Sequence, residues 1–332
     1  MRSTCWLALV MAATMACGEC DCQGNYRSLT AERTALPRIY ELIMGLSAEH
    51  GPDYHRARLA GLEARPRAAW TADDYDRYAL SQARLGADAK AVVTLDAKIA
   101  ALGAAPANSA LRGRYLARCR RYGEAATALA EASGAEPANA AWAWQALATA
   151  AGPVLIARQP SKYTVGLLGI DLSTRLGSDF RTQPPLTIAP SGRGVDQEGQ
   201  LWQRLGLPPQ PFEHLPSVFE LNATDQPEPF YALAELLAAA SFRRLAWHAY
   251  QRAWDLEHPL SDDIAAHQAE VASALPDSER YELTSARHYR LRRAAVDWVK
   301  ARWAFERALL KRGGDPDDAT ATAPFYQEHP KP

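Results

Sequence analysis

The sequence predicts an all-α protein in which antiparallel helix pairs stack as an α-solenoid, interrupted by one irregular insertion. The first observation is a period: Ala91 and Ala125 stand about 34 residues apart in similar surroundings, which is a known repeat length for a helix pair. The second is composition, because 48% of the residues are apolar and alanine, the best helix former, is abundant. The third is residues 152–229, where eleven prolines and many glycines break the helical pattern. Proteins of this class present a binding surface.

Composition and charge exclude two classes of protein. The 332 residues include 37 basic and 38 acidic side chains, which gives a net charge of −1. Nucleic-acid-binding proteins usually carry a basic excess that displaces counterions from phosphates, so no nucleic-acid partner is expected. The basic strip from Arg287 to Arg293 is interpreted as a solvated helix face. The apolar fraction excludes a globally disordered chain.

The N-terminus is predicted to direct export. An apolar run from Cys5 to Ala16 follows Arg2 and is shorter than the ~20 residues of a membrane span, so residues 1–16 are predicted to be a signal peptide. Ala16-Cys17-Gly18 resembles the lipobox of bacterial lipoproteins, although Thr14 and Met15 depart from its usual residues. That resemblance implies a lipid anchor on Cys17 and an outer-membrane location facing the periplasm. The alternative is ordinary cleavage near Ala16, which gives a periplasmic or secreted protein.

Residues 17–29 are interpreted as a tether. They contain Cys17, Cys20 and Cys22, and the one further cysteine of the mature part is Cys119. Structural zinc sites need four ligands, usually from two paired clusters, and the sequence offers no second cysteine cluster. No metal and no small-molecule cofactor are therefore expected.

An N-terminal helical block is predicted over residues 30–151. Helical spacing runs from Ala31 to Gly45 and from about Pro52 to Ala64, and Thr71 with Asp74 is typical of a helix cap. Small residues then recur where two helices of a pair would cross. They are Ala79 and Ala91 in the first unit, and Gly113, Ala125 and Ala132 in the second, which Pro137 closes.

This pattern resembles the tetratricopeptide repeat (TPR), in which small residues on both helices of a unit allow close packing. Lys98 departs from the pattern, since it stands where a small residue is expected. Residues 30–140 also resemble a group of exported bacterial repeat proteins of unassigned role, a similarity that implies no activity.

A C-terminal TPR-like block is predicted over residues 230–314. Its first unit has Ala234, Ala246 and Ala253 at the small-residue positions. A weaker unit with Ala301, Phe305 and Ala308 is interpreted as a terminal cap. The Pro/Gly-rich insertion 152–229 divides the two blocks, and the polar residues 315–332 are predicted to be a flexible tail.

No catalytic residue is predicted. Gly192, Gly194 and Gly199 lack the spacing of a phosphate-binding loop. The histidines His214, His248, His258 and His267 form no known acid–histidine arrangement. His248, which follows Trp247 within a helix, is interpreted as a packed or half-exposed side chain. Tryptophans occur in two close pairs, Trp142 with Trp144 and Trp247 with Trp254. For the first pair two interpretations stay open: both side chains are buried between helix layers, or one of them lines a groove.

The function predicted is a non-catalytic scaffold of the cell envelope that holds a protein or peptide partner in a helical-repeat groove. Groove residues are expected at first-helix positions: Tyr75, Tyr78, Gln82, Tyr115, Arg118 and Trp144. The alternative is an envelope enzyme, or an enzyme's regulatory subunit, with its site in the insertion 152–229. A third option is a carbohydrate-binding surface built on exposed tryptophans.

Overall fold

The protein is described by a computed structural model over residues 28–46, 49–119, 121–132, 164–165, 170–182, 194–205, 207, 211–213, 215–216 and 227–332. Within these ranges it is built of helices that pack against their neighbours, so the predicted all-α, solenoid-like fold is confirmed. The α-helices are α1 (Leu29–Ala35), α2 (Pro37–Met44), α3 (Pro52–Glu63), α4 (Ala72–Arg84), α5 (Asp88–Leu102), α6 (Pro106–Arg118), α7 (Tyr122–Ala132), α8 (Leu172–Leu176), α9 (Gly194–Leu205), α10 (Pro227–Ala239), α11 (Arg243–Asp255), α12 (Ser261–Ser273), α13 (Ser285–Lys311) and α14 (Ala319–Glu328). Two 3₁₀ helices, η1 (Arg67–Ala69) and η2 (Asp277–Glu282), and one antiparallel strand pair, β1 (Thr164–Val165) with β2 (Ile170–Asp171), complete the described elements.

Helices α4 to α7 form the first array, and their boundaries repeat with the period that separates Ala91 from Ala125. Both α4 and α6 have 13 residues and end at Arg84 and Arg118, while α5 and α7 begin at Asp88 and Tyr122. Each helix contacts the next one along the chain, which is the nearest-neighbour packing of a solenoid. The two arginines make equivalent ion pairs: Arg84 binds Glu49 just before α3, and Arg118 Nε lies 2.7 Å from Asp88 Oδ1.

Helices α10 to α12 form the second array with the same dimensions. Both α10 and α12 have 13 residues, and α12 follows α10 at the same interval at which α6 follows α4. The next helix of the series would begin at residue 277, but η2 lies there and the 27-residue α13 follows. The predicted terminal cap unit with Ala301, Phe305 and Ala308 is therefore wrong, because these residues belong to one continuous helix.

The same three-residue connection joins the paired helices in each array. Between α4 and α5, Gly86 has a left-handed φ of 79°, and the amide of Ala87 donates to the carbonyl of Gln82 at 2.8 Å. Between α10 and α11, Ser241 takes the equivalent position with a φ of 64°, and the equivalent backbone hydrogen bond closes the turn. Left-handed backbone favours glycine, so the second array adopts this turn with a less suitable residue.

The small residues predicted to pack between helices are buried in both arrays. All eight positions predicted for this role are buried: Ala79, Ala91, Gly113, Ala125, Ala132, Ala234, Ala246 and Ala253. Lys98, which departs from the repeat pattern, is also buried, and its Nζ lies 2.7 Å from both carboxylate oxygens of Asp76 on α4. The stem of Lys98 therefore packs in the crossing while its charge is neutralised at the edge.

The first two helices pack with the second array. Both α1 and α2 contact α11, and Ile39 belongs to the same core as α10 and α11. The buried carboxylate of Glu32 accepts hydrogen bonds from the amides of Arg244 at 3.3 Å and Leu245 at 2.8 Å. A carboxylate at this position satisfies free amides at the N-terminus of α11 and favours its dipole. The sequence pattern groups these helices with the block 30–151, and the contacts place them with the second array instead.

The described part of the insertion completes the core of the second array. Phe180, Trp202 and Phe212 are buried in the same cluster as α10 and α11. Trp202 packs edge-on against Phe212 at a centroid distance of 5.3 Å, and Phe212 packs against Phe242 at 5.8 Å. These residues therefore contribute directly to folding, in addition to connecting the two predicted blocks.

Helix α14 lies within the predicted flexible tail 315–332, so that prediction is wrong for residues 319–328. Asp318 caps the first turn with its side chain, and Phe325 is buried 5.5 Å from Trp298 of α13. The indole of Trp298 donates to the carbonyl of His329 at 2.8 Å. Aromatic burial against α13 fixes this end of the chain, although its composition is polar.

Candidate functional site: the first-helix faces of the two arrays

Equivalent positions on α4 and α10, the first helices of the two arrays, have different surroundings. On α10 these positions are all buried: Tyr231, Ala232, Leu233 and Glu235. On α4 they are exposed or half-buried: Asp76, Arg77, Tyr78 and Leu80. These positions extend around more than one side of the helix, since neighbours differ by about 100° in direction. We name the surface that they contribute on α10 the covered face, and the equivalent surface of α4 and α6 the open face.

A segment of the insertion, residues 178–182, lies on the covered face. Its buried Arg181 directs Nη2 to both carboxylate oxygens of Glu235, at 3.1 and 2.8 Å. Arg181 Nη1 also donates to Glu270 of α12 at 3.2 Å, and Nε lies 3.3 Å from the Tyr250 hydroxyl of α11. One guanidinium therefore joins all three helices of the second array.

The buried pair of Arg181 and Glu235 is ionised. Burial opposes the charge of Glu235, but His267, whose Nδ1 lies 2.9 Å from Oε1, and Arg181 outweigh it and lower the pKa of this carboxyl. Burial likewise opposes the charge of Arg181, and Tyr250 and Glu235 outweigh it and raise its pKa. Tyr250 donates to Glu235 at 2.7 Å. The carboxylate is thus surrounded by donors, as a buried charge requires.

His258 has both ring nitrogens occupied beside the covered face. Its Nδ1 accepts from the Leu260 amide at 3.1 Å, so the ring proton lies on Nε2, which donates to Glu228 at 2.8 Å. The ring stacks on Tyr231 with a centroid distance of 4.7 Å. His258 therefore has no free nitrogen for general-base chemistry.

The open face is lined by partly accessible side chains that also link neighbouring helices. The Tyr78 hydroxyl donates to Glu63 of α3 at 2.6 Å. On α6, Leu111 and Arg112 are half-buried, and Arg112 Nε donates to Asp96 of α5 at 2.6 Å. These contacts position the side chains on a rigid framework while part of each remains accessible.

The predicted groove residues fall into three groups. Tyr75, Gln82 and Tyr115 are buried, and burial raises the pKa of Tyr115 to about 12. Their burial therefore supports a role in packing and not the predicted contacts with a partner. Tyr78 and Arg118 are half-buried and lie on the first helices of the array, and Trp144 lies outside the described residues.

Other clusters of reactive side chains are internal. His55 Nδ1 lies 3.3 Å from the Ser81 hydroxyl, and both residues are buried. His248 and His288 share one hydrogen bond between their Nδ1 atoms at 3.0 Å, also in the interior. No three His, Cys, Asp or Glu residues among those described form a group able to hold a metal ion. Cys119 is half-buried, and burial raises the pKa of its thiol.

The tryptophans give one exposed aromatic surface within the described chain. Trp247 is buried, whereas Trp254 is 41% exposed. Trp142 and Trp144 lie outside the described residues. The third option, a carbohydrate-binding surface, therefore has one described tryptophan available for stacking.

Among the described helices, none combines the length and the apolar character that crossing a bilayer requires. Comparison of the whole chain with protein-family models finds no matching family. Comparisons with curated proteins and with solved structures also find no significant match.

Sequence reasoning missed the pairing of Arg181 with Glu235. One signal was present: Glu235 is the only charged residue in the apolar run from Phe230 to Ala240 of α10. A carboxylate in the middle of a buried helix needs a cationic partner. The sequence does not say which arginine supplies it, because the partner lies 54 residues earlier in the chain.

Proposed function

We propose that this protein is a non-catalytic scaffold of the cell envelope that binds an extended segment of a partner protein or peptide on the open face. The two arrays are proposed to be TPR-like units. The chain is proposed to be exported and attached through lipid on Cys17 to the outer membrane, facing the periplasm. Without the lipid it would be periplasmic or secreted.

The observation that carries the proposal is the contrast between the two first-helix faces. On the second array, a segment of the chain itself lies across α10 and α12 and inserts Phe180 and Arg181. In the first array the first helices have the same length and spacing, but the equivalent surface at Tyr78 and Leu80 is only partly buried. A surface that accommodates an internal segment in one array supports binding of an external segment in the other.

The test is partner capture with paired variants. Tyr78→Ala combined with Leu111→Ala removes apolar area from the open face of α4 and α6. Val93→Ala is the matched control, because Val93 is 66% exposed on α5, outside the open face. Crosslinked pull-down from envelope membranes, followed by mass spectrometry, should recover a partner with the native chain and the control but not with the double variant.

Circular dichroism establishes that each variant is folded before capture is compared. Equal recovery by the native chain and a folded double variant would refute binding at the open face. Palmitate labelling of the native chain and of Cys17→Ser tests the anchor separately, and labelling that persists in Cys17→Ser excludes Cys17 as its site.

The alternative, an envelope enzyme or regulatory subunit with a site in the insertion, is favoured by one observation. Arg181 of the insertion converges with Glu235 and His267, a combination of charged and titratable groups found in active sites. All three side chains are buried, and Arg181 and His267 already contact the carboxylate of Glu235, so a substrate would have to displace residues 178–182. The scaffold is therefore the function that the geometry supports better.

A further inference from the structure

The outer side of α13 carries a row of basic residues. The exposed ones are Arg290, Arg293, Lys300, Arg307 and Lys311. Their spacings of three, four and seven residues place them on one side of the helix. At 1.5 Å per residue the row is about 30 Å long. One acidic residue, Asp297, shares this side of the helix.

Most of this charge is not neutralised inside the molecule. Arg307 pairs with Asp53, and Arg293 Nε lies 3.9 Å from Asp297 Oδ2, which is a weak contact for exposed groups. Within the described part of the chain, Arg290, Lys300 and Lys311 make no hydrogen bond or ion pair. The row is thus a local positive surface on a chain whose net charge is −1.

One tyrosine lies beside the row. Tyr289, whose hydroxyl donates to Asp255 of α11, is 50% exposed. Between the basic residues, α13 exposes the small residues Ala286, Ala294, Ala304 and Ala308.

We propose that this side of α13, the basic face, adsorbs to a bilayer containing anionic phospholipids. Lysine and arginine near such a surface are attracted to its headgroups, and tyrosines favour the boundary between headgroups and hydrocarbon. A protein partner would need large apolar anchors, whereas alanines separate the charges here. The basic face deepens the proposed membrane attachment, because a lipid anchor and a basic patch together hold a protein more firmly than either alone.

The experiment uses residues 17–332 with Cys17→Ser, a chain that retains every described element and carries no lipid. Co-sedimentation compares vesicles of phosphatidylcholine mixed with phosphatidylglycerol, an anionic lipid, with vesicles of phosphatidylcholine alone. The chain is expected to bind the anionic vesicles only, and to be released in about 1 M salt, which screens the attraction.

The variant Arg290→Gln/Lys300→Gln/Lys311→Gln should lose roughly a hundredfold in partitioning to anionic vesicles. The matched control, Arg77→Gln/Lys90→Gln/Arg121→Gln, removes the same charge from exposed residues of the first array and should change partitioning less than about threefold. Failure of the native chain to bind, or equal losses in both variants, overturns the proposal. Tighter binding of the native chain to soluble polyglutamate than to the vesicles would also overturn it and indicate an acidic protein partner.

Partner capture by the open face separates this proposal from the proposed function. The basic-face variant should still capture the partner in solution, and the Tyr78→Ala/Leu111→Ala variant should still bind vesicles. Each proposal can therefore fail without the other.

Discussion

The first and second arrays share the length of their first helices, the turn geometry and the small-residue positions, but they differ in what surrounds them. In the first array each helix packs mainly against its neighbours in sequence, and ion pairs such as Arg112 with Asp96 are partly exposed. In the second array α11 contacts α1, α2, α10, α12 and α13, and its ion pairs are internal. One repeated geometry thus supports a partly open surface in one place and a core in the other.

This difference shows that the repeat pattern specifies how helices cross but not what covers them. Ala79 and Ala234 occupy equivalent positions and are equally buried. Away from the crossing the two arrays diverge, because described residues of the insertion cover α10, whereas the equivalent positions of α4 remain partly accessible. The consequences can be tested by changing equivalent features of the two arrays.

The largest effect is expected from Glu235→Gln in the second array. The change leaves Arg181 buried without its bidentate carboxylate, and removing one partner of a buried pair typically costs about 3–5 kcal/mol. Urea unfolding followed by circular dichroism measures the loss. Asp96→Asn in the first array is the comparison, since Asp96 and its partner Arg112 are both partly exposed and the change should cost about 1 kcal/mol or less. A similar cost for both changes would contradict the contrast between the arrays.

Acid should destabilise the protein through buried histidines. Burial, followed by Arg84 and His50, lowers the pKa of His55 to about 4, against about 6.5 when unfolded. The unfolded chain therefore takes up the proton first as the pH falls. Stability is complete above about pH 6.5 and is lost progressively down to about pH 4, by about 3 kcal/mol for this group. Burial also lowers the pKa of His248 and His288, which adds loss in the same direction.

Urea midpoints at pH 7.5, 6 and 5 measure this pH dependence. The urea midpoint of His55→Gln is expected to fall less steeply with pH than that of the native protein, because one of the proton-linked groups is gone. If the urea midpoint of His55→Gln falls with pH as steeply as that of the native protein, protonation of His55 does not contribute to the acid destabilisation.

Enlarging a small residue should affect the second array more than the first. Ala246→Leu and Ala91→Leu add the same volume at equivalent fully buried positions. Overpacking typically costs about 1–3 kcal/mol, and α11 has neighbours on more sides than α5, so it can shift less. Thermal unfolding of both variants tests the order, and a larger cost for Ala91→Leu would reverse the comparison.

The smallest effect is expected at the turn of the first array. Gly86→Ala places a side chain at a φ of 79°, and no atom lies within 4 Å of the added Cβ. The cost, about 1 kcal/mol, is therefore conformational rather than steric. We expect the urea midpoint to fall while the dependence of the unfolding free energy on urea concentration stays unchanged. No measurable loss would show that the turn can change its geometry.

The helix pairs were predictable because their signals are local. The repeat spacing, the cap formed by Thr71 and Asp74, and the alanines at the crossings all act within one unit. The contacts made by α1 and α14 were not predictable in the same way. Phe325 is buried by α13, and Glu32 of α1 bonds to an amide of α11 that lies 212 residues later in the chain. The polar composition of the tail gave no sign of its contact with α13.

The candidate site was predictable only in part. Of the predicted first-helix positions, Tyr75, Gln82 and Tyr115 are buried while Tyr78 remains partly accessible. Adjacent positions on a helix differ by about 100° in direction, so a small error in rotation exchanges buried and accessible residues.

By itself, the sequence determined the helical class and the period of the arrays, because helix propensity, capping and small-residue spacing act between near neighbours. Tertiary structure decided which array is covered, how Arg181 meets Glu235, and where the basic face of α13 lies. Those outcomes depend on contacts between distant segments, and the hydrophobic driving force that forms them is non-directional. This force depends on how much apolar area is buried and does not specify which segment of the chain covers an array.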